Sequence, residues 1–318
     1  MRPMLATRGS LAPNSVPSGD AWTHEVKWDG VRALTDVRDG TLRMTSRNEN
    51  AITIAWPELA TSPVGDRDVL VDGEIIALND RGLPDFRTLQ ERMHVRKATT
   101  AARLAEAVPA IYMVFDLLRL DGRDLTAEKL ETRRELLTGL SLDWDVAGGW
   151  SVPPPYDDGA MLHEATLQQG LEGIVSKRRT STYRPGERTP HWLKFAHRHR
   201  LSYVVGGWRP QEGTSDRLAA LLVGEPTPDG LLYRGRVGSG IGPKQGAVLA
   251  ELVTSLGRAD SPFADEVPRV DAQGTHWLEP VLVIDIDTHG RGYDRLRQPS
   301  FQGVRTDLSV EDLAQEDL

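Results

Sequence analysis

The sequence contains no cysteine among its 318 residues, which excludes disulfides, thiolate metal sites and a cysteine nucleophile. No apolar run approaches the length of a membrane span, and the first fifteen residues, MRPMLATRGSLAPNS, lack the apolar core of a signal peptide. These absences predict a cytoplasmic protein with no membrane partner. The remaining composition, 39% hydrophobic and 26% charged residues, is typical of a globular protein large enough for two domains.

Acidic residues outnumber basic ones, with 46 Asp and Glu against 38 Lys and Arg. The net charge of −8 argues against nucleic-acid binding, because phosphate contacts need Lys and Arg. The charge is unevenly distributed, however: the C-terminal segment SVEDLAQEDL is acidic, whereas residues 176–200, SKRRTSTYRPGERTPHWLKFAHRHR, are basic and interleaved with aromatic side chains. A basic stretch of this kind suits phosphate and base contacts, with a solvated loop as the alternative.

Short strands and helices are mixed over about residues 20–197. Alternating apolar and polar residues flank Asp39-Gly40, which predicts a β-hairpin. The apolar runs DVLVDGEIIAL, AIYMVFDLLRL and EGIVSKR predict buried strands. The segment TAEKLETRRELLTGL predicts a helix capped by Thr126. Its leucines are expected to face inward: Leu130, Leu136, Leu137 and Leu140.

The pattern changes near residue 200, so we predict a first domain over 1–199 and a second over 200–318 with an acidic tail. The second domain reads as three short strands, a helix at PKQGAVLAELVTSLG, the strand VLVIDIDT, and a fifth strand near LRQPSFQGV. In VLVIDIDT, Leu282, Ile284 and Ile286 share one face and Asp285 and Asp287 the other. Five strands and one helix, punctuated by Gly and Pro, predict a small barrel of the oligonucleotide-binding (OB) kind.

One short stretch, EVKWDGVRA, places Lys27 between Val26 and Trp28 in what reads as a buried strand. A free lysine has a pKa near ~10.4 and is a poor nucleophile at neutral pH. Burial or neighbouring cations would favour the neutral amine and make it reactive. The pattern K-x-D-G also arises by chance, so a lysine on an exposed strand face is the alternative.

Further segments with residues that could bind a ligand or take part in a reaction follow Lys27 along the chain: SRN, VDGE, YMVFDLL, LEGIVSKR, WLKF and RLRQPSFQGVRTD. Together they supply an aromatic ring to stack a base, acids for a metal and a ribose, and cations for phosphates. Each also has a plainer interpretation, with Glu74 and Glu172 as solvated strand ends and Phe115 as a core residue. The ordered set is what favours a nucleotide site.

With these motifs in this order, the chain resembles the ATP-dependent DNA ligases of the covalent nucleotidyltransferase superfamily, above all the compact bacterial type of non-homologous end joining. The resemblance covers nearly the whole chain, including PMLAT at its start and VVGGWRPQEG at the domain junction. It implies an α+β fold, with an ATP-grasp-like nucleotidyltransferase (adenylation) domain of antiparallel sheets and helices followed by an OB-fold β-barrel.

The resemblance also implies a role for each motif residue. Lys27 would attack the α-phosphate of ATP and hold AMP as a phosphoramidate. Glu25 would lie by the adenine and Phe115 would stack on it. Glu74 would bind the ribose hydroxyl and, with Glu172, a divalent metal. The other implied ATP-binding residues are basic and face the sugar or the phosphates: Arg32, Arg47, Arg188, Lys194, Arg295, Arg297 and Arg305. The last three belong to the barrel domain and would orient the leaving pyrophosphate.

The implied reaction seals 5′-phosphate/3′-hydroxyl nicks in duplex DNA, in DNA repair and recombination. Lys27 takes AMP from ATP, AMP passes to the 5′-phosphate, and the 3′-hydroxyl displaces it. Negative charge spreads over phosphate oxygens in each step, so ATP and Mg²⁺ or Mn²⁺ are the expected cofactors. The implied partners are nicked duplex DNA, the end-binding Ku protein and a repair polymerase, for a monomer associated with the nucleoid.

Three positions depart from the family pattern, in which a lysine is usual: Ala196, Glu279 and Leu308. These losses predict slow self-adenylation from ATP rather than a changed fold. Two alternatives therefore stay open. One is a degenerate module that binds nicks with little self-adenylation, and the other is an RNA-capping guanylyltransferase, which shares the fold and most motifs.

Overall fold

The computed structural model describes residues 1–10, 12, 14–140, 149–214, 217–289 and 294–315. The chain divides into two compact units, Met1–Ala196 and His197–Leu318. We expected the division after residue 199, but a strand of the second unit already begins at His199. Within the described ranges, no helix is both long and apolar enough to cross a membrane.

The first unit, over its described residues, contains ten strands and four α-helices. The strands are β1 (Leu5–Arg8), β2 (Trp22–Val26), β3 (Val31–Arg38), β4 (Thr41–Ser46), β5 (Val69–Ala77), β6 (Ala110–Leu120), β7 (Arg123–Asp124), β8 (Trp150–Ser151), β9 (Gly173–Arg178) and β10 (Arg188–Ala196). The helices are α1 (Arg87–Gln90), α2 (Ala98–Ala107), α3 (Leu130–Thr138) and α4 (Gly159–Gln168), with 3₁₀ turns at Thr53–Ala55 and Pro57–Leu59.

The larger sheet of this unit is built on the predicted hairpin. β3 and β4 pair antiparallel, and Asp39 and Gly40 between them have positive φ angles of 49° and 70°, as a tight two-residue turn requires. The strand order is β4-β3-β5-β6-β7, and β8 runs parallel to β6. The sheet packs on an apolar core that includes the fully buried rings of Trp56, Tyr112 and Trp150.

The smaller sheet, with strand order β1-β10-β9-β2, carries much of the predicted site. β1 runs parallel to β10, with Leu5 opposite Arg188, so this sheet is mixed and not antiparallel as expected. The parallel pairing is possible because most of the unit lies between the two strands in sequence. β2 and β9 are antiparallel neighbours, which places Glu25 opposite Val175.

Helix α3 begins at Leu130, and the predicted cap at Thr126 is wrong. The Thr126 N–H donates to Asp124 Oδ1 at 2.8 Å. The N–H groups of Leu130 and Glu131 donate to main-chain carbonyls within residues 179–181, so a distant segment satisfies the helix start. The leucines expected to face inward are all buried or packed against the core: Leu130, Leu136, Leu137 and Leu140.

The second unit, over its described residues, has five strands and three helices: β11 (His199–Pro210), β12 (Leu218–Thr227), β13 (Gly230–Val237), α5 (Pro243–Val253), α6 (Arg269–Ala272), β14 (His276–Thr288), β15 (Ser300–Arg305) and α7 (Val310–Gln315). The strands form one sheet, β13-β12-β11-β14-β15, and a parallel bridge between Ser239 and Ser300 joins its ends. Ile284 and Ile286 lie in the barrel core. The predicted five-stranded OB barrel is therefore confirmed.

Candidate active site

Lys27 lies in the loop that follows β2, not inside a strand as the sequence suggested. β2 ends at Val26, and the Lys27 N–H still donates to the Gly173 carbonyl of β9 at 2.8 Å. Further along the loop, Gly30 passes so close to β5 that a Cβ atom there would lie 2.1 Å from the Ile75 carbonyl oxygen. The glycine of KWDG is therefore required for the loop to approach β5.

The nearest partner of the Lys27 side chain is an anion. Its Nζ donates to Glu172 Oε2, and the two side chains are 21% and 14% exposed. Lys27 and Glu172 thus form a salt bridge in this structure, and the expectation that burial favours a neutral Lys27 stays a prediction. An attack by Nζ on a phosphate requires this pair to separate first.

Glu74 occupies the middle of β5, opposite Arg32 of β3. Burial raises the pKa of the Glu74 carboxyl to about 8, although the charges of Arg32 and Lys27 act to lower it. The negative charge of Glu172 adds to the rise. Glu74 is therefore largely protonated at neutral pH in the resting site, and an approaching cation would favour its ionised form.

Lys194 on β10 marks a concentration of positive charge. Burial lowers the pKa of Lys194, and the charges of Lys27, Arg188 and Arg47 lower it further, while Glu172 opposes the shift. Like charges gathered in a partly buried site are unfavourable until an anion arrives. Such an arrangement is suited to stabilising a polyphosphate.

Lys177, the lysine of the motif LEGIVSKR, lies at the centre of an aromatic cluster. Its Nζ donates to Glu25 Oε2 at 2.5 Å and lies 4.4 Å from the ring centroids of both Phe115 and Trp192. Glu25 Oε1 is buried and makes no hydrogen bond within the part of the chain that the structure describes. This cluster therefore presents a carboxylate oxygen that can accept a hydrogen bond. A lysine inside the apolar run EGIVSKR was the available signal.

Arg32 adjoins the same cluster, with its guanidinium 4.7 Å from the Phe115 ring centroid. Two charge-assisted bonds hold it to Asp72, Nε to Oδ1 at 2.6 Å and Nη2 to Oδ2 at 2.7 Å. Burial alone would lower the pKa of Arg32, but the Asp72 carboxylate reverses this and the pKa is raised. Direct contacts and electrostatic interactions thus connect all the predicted site residues of the first unit: Glu25, Lys27, Arg32, Arg47, Glu74, Phe115, Glu172, Arg188 and Lys194.

Arg295 and Arg297 lie just before β15 in the second unit. Arg295 Nη1 donates to the Tyr233 carbonyl, and its Nη2 lies 3.4 Å from Asp265 Oδ2. Arg297 is partly buried, and its carbonyl accepts a bond from Thr288 Oγ1 at 3.0 Å. Arg295 is therefore tied to a carboxylate of its own barrel.

Arg305, at the end of β15, is held between two carboxylates. It contacts Asp307 at 2.7 Å and Asp285 at 3.2 Å, and hydrogen bonding to Asp307 raises its pKa. The same contact lowers the pKa of Asp307 to about 2. Ser202 Oγ donates to Asp285 at 2.7 Å, which fixes that carboxylate on the barrel surface.

The three positions where the family usually has lysine differ in their surroundings. Leu308 packs against the apolar cluster beneath α7. Glu279 lies 3.5 Å from Arg258. Ala196 is the last residue of β10 and shares a strand face with Lys194. A lysine would therefore join the site's cations at position 196 but would disrupt packing at position 308.

Glu74 and Glu172 are the residues expected to hold a divalent metal. They are close enough that the charge of Glu172 raises the pKa of Glu74. Among the described residues, no group of three or more His, Cys, Asp and Glu could hold a metal. Mg²⁺ is commonly bound by one or two carboxylates together with substrate phosphates, so these two residues fit a metal that binds with a nucleotide.

In the first unit, the loop that carries Lys27 is surrounded by side chains suited to binding a nucleotide, and an OB barrel follows this unit in sequence. This is the arrangement of a covalent nucleotidyltransferase. Two family models match the chain: the ATP dependent DNA ligase domain over residues 3–195 and the ATP dependent DNA ligase C terminal region over residues 214–308. The chain therefore belongs to the family of ATP-dependent DNA ligases, as the motifs predicted.

Similar proteins include the multifunctional non-homologous end joining protein LigD of Mycolicibacterium smegmatis, 35% identical over 99% of this chain and 39% of that protein. LigD of Pseudomonas aeruginosa is 29% identical over 94% of this chain and 35% of its own length. A solved mycobacterial DNA ligase D complexed with ATP and MES is 33% identical, with a TM-score of 0.56 over 98% of this chain and 97% of that one. The chain thus spans about two fifths of the mycobacterial relative.

Proposed function

We propose that the chain seals 5′-phosphate/3′-hydroxyl nicks in duplex DNA at the expense of ATP, with Lys27 as the residue that carries AMP. The observation that carries this proposal is the surroundings of Lys27. A half-buried amine contacts Glu172, lies near Glu74, and adjoins the positive charges of Lys194 and Arg188. This combination suits a lysine that attacks a polyphosphate.

In the first step, Lys27 Nζ forms a bond to the α-phosphorus of ATP and the bond from that phosphorus to the pyrophosphate oxygen breaks. The amine must lose a proton, which passes to water once its contact with Glu172 has opened. Lys194 and Arg188 would stabilise charge on the phosphates. A divalent metal bound by Glu74 and Glu172 would offset the negative charge of the nucleotide.

The adenine would lie against Phe115, with its amino group donating to Glu25. The buried Glu25 Oε1, which accepts no hydrogen bond among the described residues and has Arg134 Nε at 4.0 Å, supports this placement. The Phe115 ring is only 8% exposed and has Arg32 and Lys177 close to it. Base stacking therefore requires one of these cations to shift.

In the later steps AMP passes to the 5′-phosphate of a nick and the 3′-hydroxyl displaces it. The basic segment 176–200 supports DNA contact, because Arg178, Arg184 and Arg188 are exposed on it while Lys177 is buried. Exposed arginines of this kind suit the phosphate backbone. Arg178 is the last residue of β9 and Arg188 the first of β10, so these two cations extend from strand ends.

We also propose a place in double-strand break repair, with Ku and a repair polymerase as partners. The LigD of Mycolicibacterium smegmatis, a multifunctional non-homologous end joining protein that is 35% identical over almost the whole chain, supports this proposal. A test is whether purified Ku raises the rate at which this chain joins DNA ends, relative to its rate on a simple nick. An equal effect of Ku on both substrates would argue against this partner.

The central test is incubation with α-labelled ATP and Mg²⁺ or Mn²⁺, followed by denaturing electrophoresis. We expect label on the protein from ATP and much less from GTP, and sealing of a nicked duplex by the labelled protein. Label from GTP alone would favour a capping-type guanylyltransferase. Nick binding without any covalent nucleotide would favour a degenerate binding module.

A further inference from the structure

We propose that Tyr183 is a positioning residue for Arg32, and that it works through a closed ring of buried hydrogen bonds that includes the main chain of Met4. The proposal rests on the proposed function and on the contact of Arg32 with the sugar or phosphates of the nucleotide that the family resemblance implies. It assigns a role to two segments outside the predicted site, PMLAT at the start of the chain and STYRPGE between β9 and β10.

The ring has four members. The Tyr183 hydroxyl donates to Asp72 Oδ2 at 2.6 Å and accepts a bond from the Met4 N–H at 2.9 Å. Asp72 holds Arg32 through the two bonds described above, and Arg32 Nη2 donates to the Met4 carbonyl at 3.2 Å. Each member therefore contacts the next, and the last contacts the first.

The ring is shielded from water. Asp72 and Met4 are 0% exposed and Tyr183 is 3% exposed. Burial and the Asp72 charge raise the pKa of Tyr183 well above its usual value, so the phenol keeps its proton and donates it to the carboxylate. Inside a protein, such bonds are strong and an unpaired member is costly, so the ring has one well-defined arrangement.

The arrangement leaves one end of Arg32 available. Nε and Nη2 are engaged by Asp72 and Met4, whereas Nη1 takes part in none of these bonds. The Arg32 side chain is 20% exposed and lies over Phe115, the ring expected to stack on the base. The ring therefore fixes the direction in which Nη1 points, and small errors in such positions can lower a reaction rate substantially.

Tyr183→Phe tests this role because it removes only the hydroxyl. The aromatic ring, which packs edge-on against Trp192 at 6.0 Å, is retained. Tyr112→Phe is the matched control. The Tyr112 hydroxyl is also fully buried, and it donates to the Ala33 carbonyl at 2.8 Å without joining the ring.

The experiment measures the single-turnover rate of Lys27 adenylation at saturating ATP, with circular dichroism to confirm folding. We expect Tyr183→Phe to slow adenylation roughly tenfold, and Tyr112→Phe to change it less than twofold. In an Arg32→Ala background, Tyr183→Phe should have no further effect, because the arginine that it positions is gone.

Three results would overturn the inference: an unchanged rate in Tyr183→Phe, the same tenfold loss with and without Arg32, or an equal loss in Tyr112→Phe. If Tyr183→Phe does not fold, Asp72→Asn replaces it. That variant must show the same dependence on Arg32, and an unchanged rate would count against the ring. A wild-type protein that forms no adenylate at Lys27 would instead refute the proposed function.

Discussion

The two units hold their basic side chains in different ways. In the first unit, Arg32 and Lys177 are 20% and 3% exposed, and each is paired with a buried carboxylate. In the second, Arg295 and Arg305 are 42% and 32% exposed and lie against carboxylates on the barrel surface. Breaking a buried pair leaves an uncompensated charge and costs several kcal/mol, whereas an exposed pair contributes about 0–1 kcal/mol. The first unit therefore holds a site that is preformed apart from the shift that base stacking on Phe115 requires, whereas the second carries arginines that can exchange partners at little cost.

The strongest test of the preformed site is Lys27→Ala. We expect adenylate formation and nick sealing to fall by at least about a thousandfold, because Lys27 is the amine proposed to form the bond to phosphorus. The variant should keep its melting temperature within a few degrees, since Lys27 is only half-buried. Labelled protein from this variant would show that another residue carries AMP.

The arginines of the second unit are tested by Arg305→Ala. If Arg305 leaves its carboxylates to contact pyrophosphate, its loss should slow adenylation about ten- to a hundredfold, at about 1.5–3 kcal/mol for a charge-assisted contact. Sealing of a pre-adenylated nick should change much less, because pyrophosphate has already left.

The matched control for that experiment is Arg200→Ala. Arg200 is also exposed on the barrel and pairs with Asp287 at 3.0 Å, but it lies outside the predicted motif. Equal losses in Arg200→Ala and Arg305→Ala would mean that general surface charge, and not a particular arginine, matters for the first step.

Glu74→Gln tests the electrostatics of the first unit. The folded-state pKa of about 8 lies above the ordinary value of 4.5, so between these pH values the folded protein keeps a proton that the unfolded chain releases. The contribution of Glu74 to stability therefore falls as pH rises through this window. We expect Glu74→Gln to be about 1–3 kcal/mol more stable than wild type near pH 8, with the difference shrinking towards pH 5. Denaturant titrations at both pH values measure this, and a pH-independent difference would contradict it.

The smallest effect is expected from restoring a family lysine. Ala196→Lys adds a cation on the strand face of Lys194 and should raise the adenylation rate a few-fold. Leu308→Lys should not help, because Leu308 packs against an apolar cluster, and it should lower the free energy of unfolding by about 1–2 kcal/mol. A faster adenylation rate in Leu308→Lys with an unchanged free energy of unfolding would contradict both expectations for this variant.

The sequence predicted the strands and the barrel well because their apolar alternation is local. It failed where a distant segment decides the local structure. Helix α3 starts where residues 179–181 accept its first N–H groups, so Thr126 looked like a cap without being one. Lys27 seemed to continue a strand, but pairing with β9 stops at Gly173.

Prediction of the candidate site from the sequence also failed where residues distant in the chain come together. Motif order predicted the charged residues that surround Lys27, because the chemistry of nucleotides dictates their types. It did not reveal Asp72 or Tyr183, whose importance depends on which side chains they meet. Asp72 is the aspartate of VDGE, yet its partners Arg32 and Tyr183 are 40 and 111 residues away in sequence.

The pairing of β1 with β10 has a consequence for how the protein is made. Met4 bonds to Tyr183 across 179 residues, so the first strand has no partner until almost the whole first unit has been synthesised. At about 5–20 residues per second, that delay is on the order of ten seconds. Contacts of such high sequence separation also form late in folding. We therefore expect a nascent chain to be unable to accept AMP until β10 has emerged from the ribosome, which ties the onset of activity to completion of the fold.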